Sequence, residues 1–142
     1  MSTIVVDTDV VSFVFKNHPI ATEYLPDLID RIPIISFMTV AELDRWALEA
    51  RWGAARRTRL QEYLERFVVF PYDRELCTNW AEVTVAAQSG GRRIECADAW
   101  VAATALLSRA PVSYTHLSCA SMSLMRARTQ LLADGGTSSI ST

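Results

Sequence analysis

The chain has 142 residues, half of them hydrophobic, and a net charge of −2, which suits one compact domain burying roughly two-thirds of its unfolded surface. That balance argues against a highly basic coat protein or an acidic tail, and no run approaches the ~20 apolar residues of a membrane span. Cys77, Cys96 and Cys119 form no close pair and no basic leader precedes Ile4, so neither a disulfide scaffold nor a thiolate zinc site is expected and a cytoplasmic location is.

Ile4-Val5-Val6 reads as a buried strand that ends at Asp7-Thr8-Asp9. Pro33 to Phe37 reads as a second buried strand. Leu43, Trp46, Ala47 and Ala50 then recur on one helix face, and Leu60, Tyr63, Leu64 and Phe67 continue the pattern beyond Gly53. Phe67 to Phe70, closed by Pro71, is a third buried strand. Leu76, Trp80, Val83 and Ala87 predict a helix ended by Gly90-Gly91. Val101, Ala102, Ala105 and Leu106 predict another. Pro111 to Tyr114 is a fourth strand, and a fifth is placed around Thr129 to Leu132. Short apolar strands alternating with helices imply an α/β domain over residues 1–133, with a parallel sheet covered on both faces. The Gly/Ser/Thr-rich stretch 134–142 is expected to be disordered.

Scarcity narrows the chemistry. His18 and His116 are the only histidines, Lys16 is the only lysine, and the five glycines form neither a P-loop nor a dinucleotide fingerprint. Carboxylates are the remaining tools. Asp7 follows the first strand directly, where ligands of open α/β sheets bind. It also reads as a simple turn residue, and Asp9 as a helix cap. Glu42 lies in the first turn after the second strand, where Thr39-Val40-Ala41-Glu42 equally reads as a capping box. Asp98 heads the apolar stripe of its helix rather than the solvent face, a costly place for an uncompensated charge. The alternative is a first-turn acid stabilised by the helix dipole. Clustered carboxylates repel one another unless a dication neutralises them, and an oxygen-only set suits Mg²⁺ or Mn²⁺ acting on a phosphodiester.

Three stretches, Ile4 to Ser12, Ile35 to Leu43 and Cys96 to Ala105, resemble the PIN-domain ribonucleases, in particular the VapC-type toxins of toxin–antitoxin pairs. The resemblance covers roughly residues 3 to 115. It implies a PIN-like doubly wound parallel sheet flanked by helices on both faces. It further implies that Asp7, Glu42 and Asp98 bind Mg²⁺ or Mn²⁺ for RNA cleavage, with dimerisation and inhibition by a small cognate antitoxin. Thr8, Asp9 and His116 are auxiliary candidates. After the fourth strand the family pattern carries a further acid, whereas here no Asp or Glu occurs between Asp98 and Asp134.

An RNA partner needs cationic contacts. Between Asp44 and Arg66 six arginines face four acids, and Arg56, Arg57 and Arg59 are the cluster assigned to RNA phosphates. Arg66 is read instead as the i,i+4 partner of Glu62. Two alternatives stay open. One is a PIN-like binding module for RNA or antitoxin that has lost turnover, motivated by the vacant fourth acid. The other is a haloacid-dehalogenase-like phosphatase with Asp7 as nucleophile, Asp9 as acid/base and Ser36 holding phosphate, although no lysine follows Lys16 to serve it.

Overall fold

Alternation along the first strand sets the frame. In the computed structural model, which describes residues 2–113, Ile4 and Val6 pack on one side of the sheet and Val5 on the other, all three buried. This strand, β1 (Ser2–Val6), pairs in parallel with β2 (Arg31–Ile35) and with β4 (Val112–Ser113), and β2 pairs in parallel with β3 (Val68–Val69). The order is β3-β2-β1-β4. The chain therefore winds outward from β1 to β3 and then returns across β1 to β4. The reversal places the topological switch point between β1 and β4, where ligands of such sheets bind.

Six helices cover the described sheet: α1 (Thr8–Phe15), α2 (Ala21–Leu28), α3 (Phe37–Glu49), α4 (Ala54–Leu64), α5 (Arg74–Ser89) and α6 (Cys96–Ser108). On one face Ile4, Val6 and Ile35 meet Val10 and Val11 of α1, Leu43 and Ala47 of α3, and Leu60 and Leu64 of α4. On the other, Val5 and Ile34 meet Val101 and Ala105 of α6. Helix α6 turns Ala99 and Ala102 toward Val83 of α5, so it lies between sheet and helix and is buried nearly all round. Small side chains at 99, 102, 103 and 105 suit that close approach. The doubly wound parallel sheet with helices on both faces is thus present.

Several boundaries differ from the sequence expectation. The second strand begins at Arg31 and stops at Ile35, because the Ser36 hydroxyl accepts from the Met38 N–H and starts α3 there. The third strand shrinks to Val68–Val69 and is not buried: it forms an edge of the described sheet, and both valines are exposed. Helices α1 and α2 had no counterpart in the sequence reading. Helix α4 ends at Leu64, so Glu62 and Arg66 do not share a helix. The ion pair observed in this region is Arg45–Glu49 at 2.8 Å, exposed on α3. Helix α5 ends at Gly90 as expected, with Gly91 at φ +71° supplying the left-handed residue beyond the cap. Tyr114, the proposed fifth strand and the 134–142 tail lie outside the described residues.

Candidate active site

The apolar run of β1 drives Asp7 to the carboxyl edge of the sheet. There it is buried, and its Oδ1 accepts the Val10 N–H at 2.9 Å as the N-cap of α1. The cap reading was assigned to Asp9, but Asp9 is exposed in the first turn of α1 and Asp7 performs it. Across the switch point the Asp7 N–H donates to the Ser113 carbonyl at 3.3 Å. Ser113 is itself buried, and its Oγ has no hydrogen-bond partner among the described residues. Sequence reasoning did not single out this hydroxyl, because only the pairing of β4 with β1 brings it beside Asp7.

Glu42 does not complete a capping box, since Ser36, not Thr39, is the N-cap of α3. Its Oε1 accepts instead from Thr8 Oγ1 at 2.9 Å, and Thr8 Oγ1 lies 3.0 Å from Thr39 Oγ1. A carboxylate cannot donate, so Thr8 spends its single proton on Glu42 and the fully buried Thr39 donates to Thr8. A relay of two threonines thereby fixes Glu42 toward the start of α1. Thr8 was an auxiliary candidate in the sequence; Thr39 emerges from the fold.

Asp98 sits half-buried in the first turn of α6. Burial, then the charges of Glu42, Asp9 and Glu95, push its carboxyl up from 3.8 to about 6. Glu42 comes from α3, Asp9 from α1 and Glu95 from the N-cap of α6, so acids far apart in sequence meet electrostatically here. Glu95 was not singled out from the sequence, since it precedes the apolar stripe. Tyr24 of α2 is a further neighbour: partial burial, then Glu23, Asp7 and Asp9, raise its phenol.

Among the described residues, no three His, Cys, Asp or Glu side chains close around a single ion position. Glu42 is held by Thr8. The oxygen-only donors, and an Asp98 carboxyl surrounded by like charge, fit a hard divalent cation.

Arg56, Arg57 and Arg59 are exposed near the start of α4. The Arg56 guanidinium lies over the Trp52 ring at 3.9 Å, and Lys16 covers Trp46 at 3.7 Å. These arginines belong to the far end of α3 from the acids, because the seven residues from Glu42 to Glu49 climb about 10 Å. Trp46 and Trp52 pack edge-to-face against each other beside the core. His116 lies outside the described residues. Ser36 is fully buried with its hydroxyl committed to capping α3, not facing a ligand as the phosphatase alternative requires. No helix among the described residues is long and apolar enough to cross a membrane.

A family model described as the PIN domain matches residues 4–115. A VapC ribonuclease of Sinorhizobium fredii is 33% identical over 112 residues, spanning 72% of this chain and 79% of the relative. The structure of FitAcB from Neisseria gonorrhoeae superposes with a TM-score of 0.68 at 26% identity, over 87% of this chain and 94% of that one. VapBC2 of Rickettsia felis, solved bound to a DNA fragment from its promoter, gives a TM-score of 0.71 at 16% identity, over 82% and 89% of the two chains. The last likeness shows the fold alone.

Proposed function

The chain belongs to the PIN-domain family, of the VapC type, and from that premise we propose that it is a Mg²⁺- or Mn²⁺-dependent endoribonuclease toxin held in check by a small antitoxin. What supports the metal-dependent part is the placement of acids at the sheet's carboxyl edge. Asp7 caps α1, Glu42 of α3 is held by Thr8 of α1, and Asp98 in the first turn of α6 is close enough to Glu42 and Asp9 for their charges to push its carboxyl up. Such a cluster is unfavourable as bare anions and favourable around a dication.

Asp7, Glu42 and Asp98 are the residues that would hold the ion, with Asp9 beside them. Bound there, Mg²⁺ or Mn²⁺ supplies a Lewis acid that activates water and stabilises negative charge on a phosphodiester. The chain's own contributions are positional. The Val10 N–H fixes the Asp7 carboxylate, and the Thr39–Thr8 relay fixes that of Glu42. Partial burial of Asp98 weakens the hydration of its carboxylate, which adds to its attraction for a cation. Arg56, Arg57 and Arg59 are proposed to hold RNA phosphates several nucleotides from the point of cleavage. VapBC complexes among the structural neighbours support the antitoxin partner, and a homodimer belongs to the same proposal.

The test is hydrolysis of single-stranded RNA by the purified chain. Cleavage that needs Mg²⁺ or Mn²⁺, stops with chelator and is abolished by Asp98→Asn is the expected result. Binding of RNA without cleavage under every metal condition would assign the chain instead as a binding module, the reading that the vacant fourth acid favours.

A further inference from the structure

Beside the acids, the same edge of the sheet carries an unbroken series of aromatic rings. Tyr72 meets Phe37 edge-on at 5.8 Å, Phe37 meets Trp100 at 5.0 Å, and Trp100 stacks on Trp80 at 5.1 Å and 23°. Phe37 follows the end of β2, one strand from Asp7, and Tyr72 follows β3, one strand further. At about 4.8 Å between strands, the strand before Phe37 lies about 5 Å and the strand before Tyr72 about 10 Å along the edge from β1. Trp100 stands two residues after Asp98 on α6.

Packing explains the inner end of the series, where Trp80 covers the contact between α5 and α6. At the outer end Tyr72 meets Phe37 and, through its hydroxyl, Cys77 of α5, yet stays 70% exposed. Proteins that hold unpaired RNA commonly stack its bases on such rings while a charged groove tracks the backbone. We propose that Tyr72 and Phe37 form a shelf on which an unpaired base stacks, next to the phosphate presented to Asp7, Glu42 and Asp98. The inference rests on the nuclease reading for the position of that phosphate.

The experiment uses short single-stranded oligoribonucleotides carrying the fluorescent base 2-aminopurine at each position in turn. They are titrated with the full chain bearing Asp98→Asn, which the proposed mechanism leaves unable to cleave. One position is expected to show quenching by stacking. Adding Tyr72→Ala should remove that quenching and weaken binding roughly tenfold or more, while Tyr72→Phe restores both. In the chain with Asp98 intact, Tyr72→Ala should raise KM with little change in kcat, because a stacked base is held alike before and during reaction. Unchanged quenching and affinity in Tyr72→Ala, or no RNA binding at all, would overturn the shelf. So would a dimer that falls to monomers on Tyr72→Ala with RNA affinity per protomer retained, since the shelf would then be an interface between copies. Tyrosine-dependent stacking without metal-dependent cleavage would leave the shelf standing and remove the nuclease reading.

Discussion

Thr8 shows how one hydroxyl organises the site. It donates to Glu42 and accepts from the buried Thr39, so Thr8→Val removes the group that orients the carboxylate. Outer-shell losses of this kind cost about 10- to 100-fold in metal affinity or activity. Isothermal titration with Mn²⁺ is expected to show weakening in that range with the fold intact by circular dichroism. Asp98 gives a prediction with a definite sign. Its carboxyl is raised to about 6 from 3.8, so the native chain holds this proton more tightly than the unfolded one. Between these two values the native state binds more protons, and the metal-free protein therefore loses stability as pH rises through the window. Melting curves in chelator from pH 4 to pH 7 should show that decline, and Asp98→Asn should flatten it. The positions of Asp7 at the end of β1 and of Asp98 in the first turn of α6 were legible in the sequence, because Asp7 ends an apolar run and Asp98 heads an apolar stripe. Thr39, Glu95 and Ser113 were not, since each acquires its neighbours only when separate elements are brought together.

Helix α6 bears two opposing demands at its start. Glu95 is the N-cap but makes no side-chain capping bond, and its charge adds to the repulsion at Asp98. Glu95→Ser supplies a capping oxygen and removes a like charge. It should stabilise the metal-free chain by about 1 kcal/mol in denaturant unfolding. The reverse holds at α5, where the Asp73 carboxylate accepts the Leu76 N–H at 2.8 Å; Asp73→Ala should cost about 1 kcal/mol. Helices α3 to α6 were readable because their apolar residues recur at helical spacing. Helix α1 was hidden: Val10, Val11, Phe13, Val14 and Phe15 favour strand by propensity, and the Asp7 cap with burial of Val10 and Val11 overrides it. Helix α2 carries Pro26 inside it, a residue that argues against a helix in sequence. The third strand misled in the other direction, since Val68 and Val69 are apolar yet exposed at an edge.

At the scale of the whole molecule, the winding order β3-β2-β1-β4 brings residues singled out separately in the sequence to one edge of the sheet. It sets Asp7 and Ser113 on either side of the switch point, with Glu42 and Asp98 reaching the same edge from helices on opposite faces of the sheet. A ligand bound only by the native state stabilises it, so Mn²⁺ should raise Tm, and Asp7→Asn should abolish the gain. The most direct measurement is anomalous diffraction from crystals soaked in Mn²⁺. The account predicts a manganese peak about 2.1 Å from carboxylate oxygens of Asp7 and Asp98, with Glu42 drawn toward it. A chain that cuts RNA while its manganese sits elsewhere, or that shows no peak among these three carboxylates at saturating metal, would contradict it.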